Sequence, residues 1–126
     1  MKNSLGKFTV IIPVYNSELT IKKVINNLLP LTELGINIII SDNCSTDSTK
    51  KILNDFINFK NIKILFQKKN TGPQNIKMLL KLVKTKWVLT IGSDDYLINS
   101  EILVNEFNKF LKLKNFVGMS FKSYFI

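Results

Sequence analysis

Residues 86–96 read KWVLTIGSDDY, an apolar segment that runs directly into two adjacent carboxylates. Its apolar part, Trp87 to Ile91, is typical of a strand that is buried on both faces. Gly92 ends this segment, so Asp94 and Asp95 follow at its carboxyl end. Parallel α/β sheets bind ligands in the crevice outside the carboxyl ends of their strands. Neighbouring acids repel each other there unless a cation compensates, which indicates either a metal–diphosphate site or a solvated polar turn.

The composition is that of one folded domain. The chain has 126 residues, of which 45% are hydrophobic and 21% are charged, and a single cysteine, Cys44. These values exclude a disordered chain and an internal disulfide. No apolar run is long enough to cross a bilayer, and Met1 to Thr9 lacks the apolar core of a signal peptide. We therefore expect one domain over residues 1–126, located in the cytoplasm.

The charge is strongly positive, because all 18 basic residues are lysine and the formal net charge is +9. Such a surface could attract nucleic acid, anionic lipid or a phosphorylated substrate. The lysines are scattered over the predicted helices and loops, without the interleaved aromatic rings that stack on bases. We expect no nucleic-acid partner, and peripheral association with the acidic inner face of a membrane stays an open hypothesis.

Apolar segments of strand and helix periodicity alternate along the chain. They predict strands at residues 8–13, 36–41, 62–66, 87–91 and 116–121, with helices at about 18–29, 46–57, 73–83 and 100–113. This βαβαβαβαβ order predicts an α/β fold, a Rossmann-like three-layer αβα sandwich with a mainly parallel sheet.

Local residues predict where the first two helices begin and which side of each helix is buried. Ser17 is expected to cap the first helix, Pro30 to mark its exit, and Ser45 or Thr46 to cap the second helix with Asp47 in its first turn. Apolar residues at helical spacing predict the inward faces of the four helices: Ile21, Val24, Ile25, Leu28 and Leu29; Ile52, Leu53, Phe56 and Ile57; Ile76, Leu79, Leu80 and Val83; Leu103, Phe107, Phe110 and Leu111.

The strand-to-helix loops of such a sheet share one edge. Tyr15 offers a flat ring there, Asp42 an acceptor, Lys68 and Lys69 positive charge, and the paired acids metal ligands. Each has a plainer interpretation, as a packed ring, a turn-forming acid or a solvated lysine. Their joint placement favours a site for a nucleoside diphosphate, built from the loops at residues 13–16, 42–47, 67–73 and 93–96.

Four motifs carry a family resemblance: Val10-Ile-Ile-Pro-Val-Tyr-Asn16, Ile39-Ile-Ser-Asp-Asn-Cys-Ser-Thr-Asp-Ser-Thr49, Asn70-Thr-Gly72 with Asn75, and Ser93-Asp94-Asp95. In order and spacing they resemble the nucleotide-sugar-binding half of family-two glycosyltransferases, which have the GT-A fold of nucleotide-diphospho-sugar transferases. The resemblance covers almost the whole chain.

The resemblance implies an enzyme that transfers a sugar from a nucleotide diphosphate donor, a UDP-sugar above all, with inversion and with Mn²⁺ or Mg²⁺. It implies that Tyr15 stacks on the base, Asp42 binds the base, Asp94 meets the ribose or the metal, and Asp95 ligates the metal. The metal ligands implied are Asp94 and Asp95. The donor-contacting residues implied are Pro13, Tyr15, Asn16, Asp42, Asn43, Lys68, Asn70, Gly72, Asn75, Ser93 and Asp94.

The resemblance further implies a truncated fold in which the acceptor-binding half is absent. The carboxylate general base is then expected beyond Ile126, and the acceptor is expected to be a glycan or a lipid-linked glycan in polysaccharide assembly. The apolar ending, residues 116–126, suggests a strand that could pair with a second copy in a homodimer.

Three other functions stay under consideration. The first is a non-catalytic fragment that binds a nucleoside diphosphate. The second is a signalling receiver domain, which requires paired acids after the first strand, where Val14-Tyr-Asn16 stands, and an acid after the third, where Gln67 stands. The third is a dinucleotide-dependent oxidoreductase, which requires a glycine-rich turn after the first strand.

Overall fold

The computed structural model describes residues 4–97 and 100–113. Strands and helices alternate in it, after a short 3₁₀ turn at Ser4–Lys7. The strands are β1 (Phe8–Val14), β2 (Asn37–Asp42), β3 (Ile62–Phe66) and β4 (Trp87–Thr90). The helices are α1 (Ile21–Glu33), α2 (Thr49–Asn54), α3 (Gln74–Leu82) and α4 (Ser100–Leu111). The predicted fifth strand and the proposed dimer segment lie outside the described residues.

The four strands form one parallel sheet in the order β3-β2-β1-β4. Thr9 pairs with Asn37 on one side of β1 and with Val88 on the other. From β1 the chain passes to β2 and β3 on one side and later returns to β4 on the other. The strand order therefore reverses between β1 and β4, which in open α/β sheets is where ligands bind.

Helices cover both faces of the sheet. Residues of α1, α2 and α4 pack with Ile12 and Ile40 in the larger core cluster. On the opposite face, Leu79 of α3 packs with Ile11 and Ile39 in a smaller cluster. The predicted α/β sandwich with a parallel sheet is confirmed, because β1 and β2 supply apolar side chains to both faces.

The prediction that residues 87–91 are buried on both faces was wrong. β4 is an edge strand in the described sheet, and Val88 is 42% exposed. β1 covers one side of β4, and α3 packs over β1 and β2 rather than over β4. This placement of α3 also leaves its Ile76 and Leu80 side chains exposed. Of the four residues predicted to face inward from this helix, only Leu79 and Val83 contact the core.

Helix α1 begins later and ends later than predicted. Its first turn is closed by the carbonyl of Ser17, which accepts from the N–H groups of Thr20 (3.1 Å) and Ile21 (2.9 Å). The Ser17 side chain makes no cap. Pro30 lies inside the helix rather than at its exit. Proline has no N–H to donate to the carbonyl of Asn26, and this missing hydrogen bond is tolerated because Asn26 lies on the exposed side of the helix.

Helix α2 is shorter than predicted, since it ends at Asn54 and Ile57 is exposed rather than inward. Its N-cap residue is Ser48, not Ser45 or Thr46. The inward faces of the other helices agree with the prediction where they are not corrected above: α1 buries Ile21, Val24, Ile25 and Leu28, α2 buries Leu53, and α4 buries Leu103, Phe107 and Phe110.

Candidate functional site

The site edge is the set of loops after β1 (15–20), β2 (43–48), β3 (67–73) and β4 (91–97). Hydrogen bonds continue the sheet into these loops. Asn43 donates its N–H to the carbonyl of Val14 (2.8 Å), Gln67 to Asp42 (2.9 Å) and Ile91 to Ile11 (3.0 Å). The first residues of three loops are therefore held as rigidly as the strands that precede them.

The β1 loop is tied to the β2 loop through Asn16, whose φ of 46° is left-handed. Asn accepts this backbone conformation more readily than most residues. The Asn16 N–H donates to Ser45 Oγ (2.9 Å), and its side-chain oxygen accepts from the Thr46 N–H (2.8 Å). These hydrogen bonds hold Asn16 against the β2 loop.

A second link joins the same loops through two acids. Asp47 accepts from the Glu18 N–H (3.2 Å) and the Thr49 N–H (2.9 Å), while Glu18 accepts from the Ser48 N–H (2.8 Å). The prediction that Asp47 lies in the first turn of α2 was wrong, because Asp47 precedes the N-cap residue, Ser48. Partial burial raises the pKa of Asp47, but hydrogen bonds from Thr49 and from the Glu18 N–H outweigh it and hold the pKa below its ordinary value.

We expect Asp47→Asn to destabilise the chain at neutral pH and to matter less in acid. The pKa of Asp47 is lowered in the folded state, so its stabilising contribution is present above the ordinary pKa of 3.8 and is lost as the pH falls through the folded value. Urea unfolding of the variant and of wild type at pH 7 and at pH 3 measures this. Asp55→Asn, an exposed acid outside the site edge, is the control. An equal difference at both pH values would contradict the expectation.

Asp42 lies at the bottom of the site edge and is only 1% exposed. Its two carboxylate oxygens accept from the hydroxyl and from the N–H (3.2 Å) of Ser45. Each oxygen accepts one of these bonds and keeps capacity for another donor. Asp42, at the end of β2, and Ser45 therefore form a closed turn in which the Asp42 carboxylate is a buried hydrogen-bond acceptor.

Asn43 joins the β2 loop to the β3 loop. Its side-chain N–H₂ donates to Asn70 Oδ1 (3.0 Å), and its side-chain oxygen accepts from the Thr71 N–H (2.8 Å). Asn70 also accepts from the N–H of Gly72, which has a φ of 57°. The Asn70-Thr-Gly72 motif is thus a closed turn seated on Asn43, and three of the predicted donor-site residues meet here.

Asn75 lies behind this turn rather than on its surface, because it is only 3% exposed. It accepts from Ser41 Oγ (2.5 Å) and donates to the Ser41 carbonyl (3.0 Å). Ser41 Oγ also accepts from the side chain of Gln67 (3.1 Å). The first turn of α3 is therefore fastened to the end of β2.

The remaining predicted residues of the first and third loops differ in exposure. Tyr15 is 47% exposed and can offer its ring to a ligand, whereas Pro13 is a half-buried residue within β1. Lys68 and Lys69 are exposed, and the Lys68 carbonyl lies 3.6 Å from the Cys44 sulfur. Lys68 thus belongs to the same group of loops as Asp42 and Asn43.

The acidic turn, residues 92–97, is narrow and rigid at its start. The Gly92 N–H donates to Asp95 Oδ2 (2.7 Å), and the Asp95 N–H donates to the Gly92 carbonyl (3.1 Å). A Cβ at Gly92 would lie 2.8 Å from Asp95 Oδ2 and 3.1 Å from Asp94 Oδ1. Both carboxylates therefore lie against Gly92, where a larger residue would displace them, and both are exposed.

This donor set fits a divalent cation that is completed by a ligand. Two adjacent exposed carboxylates supply hard oxygen donors, which suit Mg²⁺ or Mn²⁺. Within the described residues no cluster of three or more His, Cys, Asp or Glu side chains could hold a metal. Mg²⁺ commonly binds through one or two carboxylates together with substrate phosphates, so two protein ligands suffice.

Three residues of the site were missed at the sequence level. Ser17 Oγ and Ser93 Oγ share a hydrogen bond (2.6 Å), and Thr20 Oγ1 donates to the Ser93 carbonyl (2.8 Å). Asn27 makes two hydrogen bonds with the backbone of Leu97. The local sequence predicts only a helix cap for Ser17 and gives no signal for Thr20 or Asn27, because their partners lie about 70 positions away.

No helix in the part of the chain that the structure describes is both long enough and apolar enough to span a membrane.

Comparisons with known proteins identify the family of this chain. The family model described as glycosyl transferase family 2 matches residues 9–111. The poly(ribitol-phosphate) beta-N-acetylglucosaminyltransferase TarS of Staphylococcus aureus is 39% identical over 105 residues, which is 77% of this chain and 18% of TarS. A poly(ribitol-phosphate) beta-glucosyltransferase of Bacillus spizizenii is 35% identical over 81% of this chain and 17% of its own length. The chain thus spans about a fifth of these relatives.

Solved structures show the same relationship. The crystal structure of S. aureus TarS 1-349 in complex with UDP has a TM-score of 0.68 and 36% identity, over 80% of this chain and 31% of that one. A mannosyltransferase from Pyrobaculum calidifontis, solved with GDP-Man and Mn²⁺, shares the fold with a TM-score of 0.71 at 18% identity, over 79% of this chain and 30% of its own. These neighbours confirm the GT-A fold. By its family match and its relatives, this chain belongs to glycosyl transferase family 2.

Proposed function

We propose that the site edge binds the nucleoside diphosphate part of a sugar donor, a UDP-sugar, for transfer of the sugar to an acceptor. The observation that carries the proposal is that Asp94 and Asp95 lie side by side and exposed, beside Gly92 at the strand-order reversal, on the edge that also holds the closed loops after β1, β2 and β3. The UDP complex of the 36%-identical TarS structure supports UDP as the nucleotide.

The nucleoside would occupy the loops after β1, β2 and β3. Tyr15 offers an exposed ring for stacking on uracil, and Asp42 offers buried acceptor capacity for a base N–H. Exposed Lys68 lies where it could meet a phosphate. The other residues proposed to line or shape this part of the site are Pro13, Asn16, Asn43, Asn70, Gly72, Asn75 and Ser93.

The diphosphate would lie against the acidic turn. Asp94 and Asp95 would hold a Mn²⁺ or Mg²⁺ ion, which when bound neutralises negative charge on the nucleoside diphosphate as it leaves. Asp95 keeps Oδ1 for this purpose because Oδ2 accepts from the Gly92 N–H. The turn thus presents its carboxylates before any donor arrives, which lowers the cost of ordering them on binding.

Transfer with inversion requires a carboxylate general base beside the acceptor. On α4, Glu106 pairs with Lys109 at 3.0 Å, and on the site edge Glu18, Asp42 and Asp47 accept hydrogen bonds from their neighbours. We propose that the base and the acceptor site come from outside residues 1–126, because the chain spans only 18% of TarS and 17% of the Bacillus spizizenii relative. We also propose that the acceptor is a glycan or a lipid-linked glycan. We further propose that the protein is cytoplasmic, associates peripherally with the membrane and forms a homodimer.

Calorimetric titration with UDP tests the donor site. We expect Mn²⁺-dependent binding of UDP by the 126-residue chain, and weaker binding of ADP, because uracil offers a ring N–H to the proposed Asp42 acceptor and the adenine of ADP has none. A thermal-shift series with the same nucleotides, with and without Mn²⁺ or Mg²⁺, provides an independent measurement. The proposal fails if no nucleoside diphosphate with metal produces heat or a shift in Tm.

A further inference from the structure

The acidic turn is attached at one end to the loop that precedes helix α1 and at the other end to α1 itself. At the first end, the Ser93 carbonyl accepts from Thr20 Oγ1 (2.8 Å), and the Ser93 hydroxyl shares a hydrogen bond with Ser17 (2.6 Å). At the other end, Asn27 Nδ2 donates to the Leu97 carbonyl (3.0 Å) and Asn27 Oδ1 accepts from the Leu97 N–H (2.9 Å). We call Ser17, Thr20 and Asn27 the α1 clamp.

The segment between these two attachments has few contacts of its own. Asp94, Asp95 and Tyr96 are exposed. Within the described residues, the Asp95 carboxylate is engaged by the Gly92 N–H, and the Tyr96 ring lies under the Lys23 ammonium, 4.8 Å from the ring centroid. Short peptide turns with two exposed acids lose order through repulsion unless something else fixes the backbone. The α1 clamp supplies that constraint.

We propose that Ser17, Thr20 and Asn27 are positioning residues that set the spacing of the Asp94 and Asp95 carboxylates for a divalent cation. This inference rests on the proposed function. Partners of metal ligands orient them, and loss of such a partner typically costs about 10- to 100-fold in metal affinity. Asn27 should contribute most to this positioning. Its side chain makes two hydrogen bonds with the backbone of Leu97, and among the described residues no other side chain is seen to bond to Leu97.

The clamp also connects the two halves of the site. The Ser17 N–H donates to Thr49 Oγ1 (2.7 Å), so the residue that bonds to Ser93 also bonds to the start of α2. Asn16, its neighbour, holds the β2 loop. The acidic turn and the proposed nucleoside loops are therefore built on one short segment of chain.

The test compares Asn27→Ala with Asn26→Ala. Both asparagines lie in α1 and the substitutions change helix propensity equally, but Asn26 is exposed and outside the clamp. We expect the Mn²⁺ concentration for half-maximal UDP binding to rise about tenfold in Asn27→Ala. UDP affinity at saturating Mn²⁺ should be retained, and Asn26→Ala should match wild type.

A second pair guards against a variant that does not fold. Thr20→Val keeps the shape of the side chain and removes the bond to Ser93, whereas Thr20→Ser keeps the hydroxyl and should restore the wild-type Mn²⁺ requirement. Amide hydrogen exchange at Leu97, followed by NMR on the metal-free protein, should be faster in Asn27→Ala than in Asn26→Ala, because Asn27 is the acceptor of that N–H.

The outcomes separate the two proposals. If Asn27→Ala and Asn26→Ala need the same Mn²⁺ concentration, the clamp does not position the carboxylates. A loss of UDP affinity that saturating Mn²⁺ does not recover would mean general structural damage, which also overturns the inference. If wild type itself shows no Mn²⁺-dependent UDP binding, the proposed function fails and the inference fails with it.

Discussion

Asp95→Asn is expected to weaken Mn²⁺-dependent UDP binding by about 100-fold or more, the largest functional effect that we predict. Substitution of a residue that merely orients a metal ligand costs about 10- to 100-fold, and loss of a ligand's charge should cost at least as much. Asparagine has nearly the same shape and can still accept the Gly92 N–H, which Asp95 Oδ2 accepts at 2.7 Å. The turn should therefore keep its conformation while its negative charge falls.

Asp55→Asn is the matched control for Asp95→Asn. It changes the net charge of the chain by the same amount, but Asp55 is an exposed residue at the C-cap of α2, away from the loops of the site edge. Calorimetry over a range of Mn²⁺ concentrations measures the effect, and Tm without metal shows whether folding is preserved. If Asp95→Asn keeps the wild-type Mn²⁺ dependence, the two acids form only a solvated polar turn.

Asn75→Ala is expected to lower the free energy of unfolding by about 2 to 4 kcal/mol. Asn75 is 3% exposed and makes two hydrogen bonds with Ser41, at 2.5 and 3.0 Å. Alanine would remove one hydrogen-bond partner from the Ser41 hydroxyl and one from the Ser41 carbonyl, and Ser41 is fully buried. Each such loss carries a desolvation cost. For a domain of this size the change corresponds to a fall in Tm of roughly 10 °C or more.

Gln74→Ala is the control for Asn75→Ala, because it removes a neighbouring exposed amide at the start of the same helix. Urea unfolding of Asn75→Ala, Ser41→Ala and the double variant tests the pairing directly. The double variant should lose less stability than the two single variants together, since both single variants remove the hydrogen bond between Ser41 Oγ and Asn75 Oδ1. Additive losses, or a loss for Asn75→Ala no larger than for Gln74→Ala, would contradict the role of this pair.

Much of the fold follows from local pattern. The apolar period of each segment predicts a strand or a helix, and strict alternation predicts a parallel sheet with helices on both faces. Parallel strands put the loops after them at one edge, so the placement of Asp42, Asn70 and Asp94 at the same edge was also predictable. The predicted bounds of β3, 62–66, are those observed.

The local pattern failed where the neighbours of an element decide its environment. Residues 87–91 have the composition of a central strand, yet β4 lies at the edge of the described sheet because strand order depends on how the chain returns after α3. Leu80 and Ile76 have helical spacing with Leu79, but α3 packs over β1 and β2 and leaves these two exposed. Periodicity predicts an apolar face and does not specify what covers it.

The sequence by itself determined the α/β architecture and the position of two acids at the carboxyl end of a strand, because periodicity and the geometry of parallel strands are local properties. The tertiary structure alone decided that Thr20 and Asn27 hold the backbone of Ser93 and Leu97. These contacts depend on β4 lying beside β1, with α1 packed next to the turn that follows β4. Such long-range placement arises from strand order and helix packing together, so no short stretch of sequence encodes it.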